Sequence, residues 1–562
     1  MGKRIDILIK GGAIVDGYGS EPFEGNVGIA RDKIAFIWNN TESRDQMSAV
    51  KAERVIEARD MTITPGFIDT HAHSEFILLA DPRAEGKICQ GITTEINGNC
   101  GLSAAPLYGE TLKQREGDLE ELDIQERWAT FKEYFEILER RGVCLNFVTL
   151  AGHGNIRSCV AGYQDRKLAG TDLKKIRLLL KEAVNDGAIG LSTGLIYPPG
   201  VYSDTEELID LCRGLSQPYV SGNKCHEPSF GKVGQKRITN KGSHGIYTSH
   251  MRSEGDKLIE SVEETIRIAK ESGIKVHISH IKTSGKKNWH KIDKVLSIIA
   301  ASRNEGLGVT ADRYPYTSAS TDLDTVLPSW VYEGGSAMEL KRLKSRELQK
   351  RIKKEIVNEH PHMEYWKNVY VSSVSSETNR WMEGMDIASI AKKEGSQPPD
   401  MLFKILIEEK LRVGAIFSSM SEDNLRRFLS LPYVMIGTDS SARSLSGTTH
   451  KGKPHPRGFG SFPRFLGRYV RDGSLMDLSE AIKKITMFPA ETFGIHKRGI
   501  LREGAFADIV VFDGEKIIDK ATYSEPFLRP EGIRYVIVNG LPAVWEGELT
   551  GIRAGRVLRH GK

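Results

Sequence analysis

The chain has 562 residues, 39% hydrophobic and 27% charged, ordinary globular usage that excludes a wholly disordered or fibrous protein. One domain typically takes ~150 residues and a barrel ~250, so at least two structural units with a sizeable core are expected. The 79 Lys+Arg against 74 Asp+Glu leave +5, too small a surplus per residue for a nucleic-acid or membrane-surface binder. No apolar run reaches the ~18 residues of a membrane span. The start, Met1-Gly2-Lys3-Arg4-Ile5-Asp6, leads into no signal-peptide stretch. The six cysteines (Cys89, Cys100, Cys144, Cys159, Cys212, Cys225) form no CxxC pair. A cytoplasmic protein is expected.

Residues 1–64 are short and strand-like. Ile5 to Ile9 alternates, Gly11-Gly12 turns, and Val27-Gly28-Ile29 and Lys33 to Ile37 read as strands. Residues 490–562 share that texture in Asp508 to Asp513 and Tyr535 to Gly540. The two ends predict one small β domain, a β-sandwich, assembled from both termini.

Between them, residues 65–489 repeat a strand-then-helix rhythm. Strand candidates are Gly66–His71, Thr93–Asn97, Asn146–Ala151, Ile189–Leu195, Gly245–His250, Lys275–His280, Gly308–Asp312 and Val434–Asp439. Leu258, Val262, Ile266 and Ala269 step at helical spacing, with Gly273 placed as a cap. Eight such units predict an α/β fold, a TIM-type (β/α)8 barrel. Two stretches interrupt the rhythm. Residues 317–370, with a charged helix Glu339 to His360, follow the seventh strand on the face where barrels carry chemistry, and read as a lid insertion. Residues 216–244 carry four glycines and five Lys/Arg against one acid, Glu227, and read as an extra loop on the opposite face.

The residues that carry chemistry stand at strand ends. In Pro65-Gly66-Phe67-Ile68-Asp69-Thr70-His71-Ala72-His73, alternate residues point the same way, so His71 and His73 can offer two imidazoles to one metal. His250 closes Tyr247-Thr248-Ser249-His250, and His280 closes Val276-His277-Ile278-Ser279-His280. Either alone reads as a buried structural histidine; two at equivalent ends of successive strands read as ligands. His277 lies on the other strand face and is left structural. Asp439, in Gly437-Thr438-Asp439-Ser440, is a helix cap or, opposite an HxH pair, a carboxylate that takes a proton from water and passes it to a leaving amine.

HxH after the first strand, single histidines after the fifth and sixth, and aspartate after the eighth resemble the amidohydrolase superfamily of metal-dependent barrel hydrolases. Gly504 to Asp513 resembles that superfamily's C-terminal return. Many members carry a lysine in the fourth strand, yet Ala188 to Gly200 contains none. The second strand instead leads into Glu95-Ile96-Asn97-Gly98-Asn99-Cys100-Gly101, which resembles the N-acyl-D-amino-acid deacylases (D-aminoacylases). Thr248 to Glu254, Ile278 to Lys282 and His455 to Arg464 agree. Cysteine with two histidines leaves a fourth zinc position for water, as catalytic zinc requires; otherwise Cys100 is a small buried hydrophobe.

The resemblance implies one tight Zn2+ on Cys100, His250 and His280, and a second, weaker site on His71, His73 and Asp439 with Cys100 shared. It implies hydrolysis of small N-acyl-D-amino acids, with Asp439 as the acid/base. It also implies Arg457 as the carboxylate anchor, helped by Tyr197 and Lys282. A cyclic-amide hydrolase of the dihydroorotase or hydantoinase type is the second enzyme reading, opposed by Cys100 and the lysine-free fourth strand. A non-catalytic scaffold predicts missing ligands, and all six are present. Cys225, His226 and His244 match no zinc spacing.

Overall fold

Eight short parallel strands carry the middle of the chain, at the places the strand-then-helix rhythm assigns. The computed structural model describes residues 4–40, 50–216 and 245–561. The strands are β1 (Phe67–Asp69), β2 (Ile92–Asn97), β3 (Asn146–Thr149, continued by Ala151–Gly152), β4 (Gly190–Gly194), β5 (Ile246–His250), β6 (Lys275–Ile278), β7 (Val309–Arg313) and β8 (Val434–Ile436). β1, β2 and the first part of β3 form one parallel arc. The second part of β3 opens another, which continues through β4, β5, β6 and β7 to β8. Just past β8 the chain returns to the start: the Asp439 N–H donates to the His71 carbonyl at 2.8 Å, and Ala72 bridges Ser440.

All of β2 and β5 is buried, as in strands covered on both faces. The helix Leu258–Ser272 buries Leu258, Val262, Ile266 and Ala269 and ends at Gly273 in the left-handed conformation, as its spacing predicts.

The two ends of the chain meet in one nine-stranded sheet. Ile509–Phe512 runs antiparallel to Thr62–Pro65, with Ile509 opposite Pro65, so the C-terminal segment clamps the chain just before β1. Ile9, Val27 and Ile63 from the first end share a buried cluster with Ile509, Val511 and Ile537 from the second.

The interruption expected over 317–370 opens a longer module. Ser318–Asp322, Gly414–Ser418 and Val369–Ser373 lie side by side as an antiparallel sheet, in that order. The module has an apolar cluster of its own, around Leu343, Ile352, Val371 and Leu402. The single charged helix expected from Glu339 to His360 is two helices, Ser336–Lys344 and Arg346–Glu359. Ser345 adopts an extended conformation between them, and its side chain accepts from the Leu348 N–H, an N-cap that starts the second helix. Of the loop expected over 216–244, with Cys225, His226 and His244, only Ser216 lies among the described residues; it ends the helix Thr205–Ser216. No helix among the described residues is long and apolar enough to cross a membrane.

Candidate metal centre

The strand ends bring all six expected donors to one place. His71 and His73 follow β1 with ring centroids 5.2 Å apart. Cys100 follows β2 in a tight turn at φ +54. Gly98 and Gly101 beside it are also left-handed, and each lacks room for a side chain. A Cβ on Gly98 would stand 2.1 Å from the Leu150 carbonyl oxygen, and one on Gly101 would stand 2.6 Å from the Gly194 nitrogen. Glycine on both sides therefore lets the backbone carry Cys100 over the end of the sheet. His280 and Asp439 are left-handed too, at φ +36 and +51. Strained backbone of this kind persists where the surroundings over-determine it, and it gathers at functional sites.

Cys100 is the hub. Its Sγ lies 3.3 Å from His71 Nε2 and 3.5 Å from His280 Nε2, and His280 Nε2 lies 3.0 Å from His250 Nδ1. On the other side, Asp439 Oδ1 is 3.2 Å from His73 Nε2 and 3.5 Å from His71 Nε2. Two groups thus have all their donor atoms within 4.8 Å: His71, His73, Cys100 and Asp439, and Cys100, His250 and His280. Donors on one tetrahedral zinc stand ~3.3–3.8 Å apart, given bonds of ~2.0–2.3 Å. The soft thiolate with imidazoles suits zinc in the second group, and the added carboxylate suits a harder, more open position in the first.

Electrostatics agree with an ionised cluster. Burial pushes the Cys100 thiol up, but His71, His250 and His280 outweigh it and hold the thiol well below its ordinary range. Burial likewise opposes charge on Asp439, yet Arg457, His280 and His71 hold its carboxyl well below the usual carboxylate range. For His71, burial is overcome by Asp312, Cys100 and Asp439, which raise it well above the usual imidazole value.

Two carboxylates that sequence reading assigned no role hold these donor side chains from behind. Asp312, the fourth residue of β7, accepts from His71 Nδ1 at 3.2 Å, from His277 Nε2 at 2.8 Å and from the His280 backbone N–H at 2.6 Å. It fixes the His71 ring, whose Nε2 faces Cys100, and the backbone that carries His280. Its signal was its place at the end of the seventh strand candidate. His277, on the other strand face, meets the cluster through Asp312. Glu254 Oε1 stands 2.8 Å from His280 Nδ1 and also pairs with Lys282 Nζ; it closes the Thr248 to Glu254 motif.

The three expected substrate-binding residues line the same cavity, about 480 Å³ in volume, as Cys100, His250, His280 and Asp439. Arg457 Nη1 lies 2.8 Å from Asp439 Oδ2, and its Nη2 donates to the Ser320 carbonyl at 3.1 Å. Tyr197 packs edge-on against His250 with centroids 5.1 Å apart, and its hydroxyl meets Thr321 Oγ1 at 2.9 Å. Lys282 Nζ sits 2.8 Å from His280 Nδ1.

A model of the Amidohydrolase family matches residues 386–544, and that class is the one the strand-end donors define. Over nearly its whole length the chain is similar to a D-aminoacylase of Alcaligenes xylosoxydans xylosoxydans, 33% identical across 98% of this chain and 97% of that protein. The chain belongs to the D-aminoacylase family of amidohydrolases. Its fold is similar to the crystal structure of an N-acyl-D-glutamate deacylase from Bordetella bronchiseptica, complexed with zinc and a phosphonate mimic of the tetrahedral intermediate. The TM-score is 0.79 and the identity 29%, over 99% of this chain and 100% of that one. It is similar as well to a D-aminoacylase whose binuclear metal centre is described as activated by one metal and attenuated by a second, with TM-score 0.78 and 31% identity, over 99% and 100% of the two chains.

Proposed function

We propose that this chain is a zinc-dependent deacylase of N-acyl-D-amino acids, releasing a carboxylate and a free D-amino acid. The observation that carries it is the sharing of Cys100 between two donor groups at the floor of a cavity that Arg457 and Lys282 also line. Cys100, His250 and His280 would hold the tight zinc, and His71, His73 and Asp439, with Cys100, would hold the weaker one. Zinc bound there supplies Lewis acidity to an acyl carbonyl and to water. Asp439, with Oδ1 toward His73 and Oδ2 on Arg457, takes the proton of the attacking water and returns it to the departing nitrogen. Arg457 turns its planar guanidinium to the substrate carboxylate, with Tyr197 and Lys282 flanking it.

The two parallel arcs close as a (β/α)8 barrel over 65–489, supported by the link between Ala72 and Ser440. Residues 1–64 and 490–562 form the small domain, and its cluster shared between both chain ends supports a β-sandwich. The segment 317–370, as the first part of the module, covers the mouth. The free thiols Cys89, Cys144, Cys159 and Cys212 support a cytoplasmic home.

The test is amine release from paired N-acetyl D- and L-amino acids, with zinc supplied and with zinc chelated. Zinc-dependent turnover confined to the D series is expected. Turnover of the L series, or of dihydroorotate or a hydantoin in place of linear amides, would overturn the reading.

A further inference from the structure

The cavity has a second wall that the chemistry above leaves unused. Beyond Arg457 it is lined by Asp322, Asp324 and Glu339, from the module's first strand, the turn after it and the helix Ser336–Lys344. Glu339 is 4% exposed, and its Oε1 has no hydrogen-bond partner. Buried carboxyls are normally paired, so an orphaned oxygen on a cavity wall marks a place made for a donor.

The neighbouring arginines do not fill that place. Arg115 lines the same cavity, but it donates to Asp118 at 3.0 Å. Arg412 donates to Asp118 and to Glu121, each at 3.0 Å. Arg342 donates to the Val331 carbonyl at 3.0 Å and stands 4.0 Å from Glu333. With these cations engaged, three carboxyl groups face one end of the cavity together. Asp322 is exposed overall, yet desolvation of its carboxyl and repulsion from Asp118 raise it against the pull of Arg115 and Arg412. Burial raises Asp324 and Glu339, and repulsion within the cluster adds to both, opposed at Glu339 by Arg342. Among the described residues the three do not form a group with all donor atoms within 4.8 Å, as the metal donors do.

Distance fits a side chain. The Ser320 carbonyl is held by Arg457, which stands on Asp439. Asp322 is two residues further along the same strand and on the same face, ~7 Å away. An extended lysine side chain spans ~6 Å from Cα to its nitrogen. A lysine side chain on a substrate anchored by its carboxylate at Arg457 therefore has the length to reach these carboxyl groups.

We propose that this wall recognises a cationic side chain, so that the preferred substrates are N-acyl derivatives of D-lysine, D-ornithine or D-arginine. This rests on the deacylase reading above. The test compares kcat/KM for N-acetyl-D-lysine, N-acetyl-D-norleucine, which has the same stem without the amine, and N-acetyl-D-glutamate. Lysine is expected to exceed norleucine at least ~10-fold, as a charge-assisted hydrogen bond gives, and glutamate is expected to be the poorest. Asp322→Asn combined with Glu339→Gln should lower the lysine-to-norleucine ratio ~10-fold. That ratio, taken on one preparation, does not depend on the folded fraction. Norleucine matching or beating lysine, preference for glutamate, or an unchanged ratio in the double variant would overturn the inference while the deacylase reading stands. No turnover of any of the three would overturn that reading and this inference with it.

Discussion

The ends of the parallel strands and the module from 318 to 418 both face the cavity, but they are built differently. The strand ends supply six donors from β1, β2, β5, β6 and β8, and the buried Asp312 and half-buried Glu254 hold the His71 and His280 rings. The module supplies a wall of Ser320, Thr321, Asp322, Asp324 and Glu339, built around a small antiparallel sheet with a separate apolar cluster. Bond-making needs atoms fixed to a fraction of an ångström, which the shared framework provides. Selection among side chains needs a surface that can change without disturbing that framework. An inserted unit with its own core provides it.

The sharpest way to break this division is at the hub. Cys100→Ala should lose tightly bound zinc and nearly all turnover while the fold survives, read by metal content, rate and circular dichroism. A variant with stoichiometric zinc and parental rates would make Cys100 a packing residue. Asp439→Asn keeps size and most hydrogen bonding but removes the base, so kcat should fall ~100-fold or more with tight zinc retained. Activity within a few-fold of the parent would remove its acid/base role. Arg457→Lys keeps the charge and loses the fork, and KM for N-acyl-D-amino acids should rise ~10-fold, about 1.4 kcal/mol. The effect should shrink on a substrate whose carboxylate is amidated. Because Arg457 also stands on Asp439, equal losses on both substrates would assign it to Asp439 rather than to the carboxylate.

Much of the framework was legible in the sequence because its signals are local. A period of two puts His71 and His73 together, and apolar runs ending in histidine or aspartate mark the strands that close on His71, His250, His280, Asp312 and Asp439. Gly-Asn-Cys-Gly announces a turn that only glycines permit on either side of Cys100. Asp312 was visible as a strand end, but its role depends on His71, 241 residues away in sequence, and no spacing reports that. The same limit hid the pairing of Ile509–Phe512 with Thr62–Pro65 and the meeting of Asp322, Asp324 and Glu339. The charged periodicity runs through Ser345 and masks the helix break, which the capping serine imposes.

The ligand shell itself can be read by X-ray absorption at the zinc edge of the purified protein with one equivalent of zinc. One sulfur at ~2.3 Å beside nitrogen or oxygen donors at ~2.0–2.1 Å is expected, the sulfur being Cys100. A shell of nitrogen and oxygen alone would contradict a tight site built on Cys100, His250 and His280.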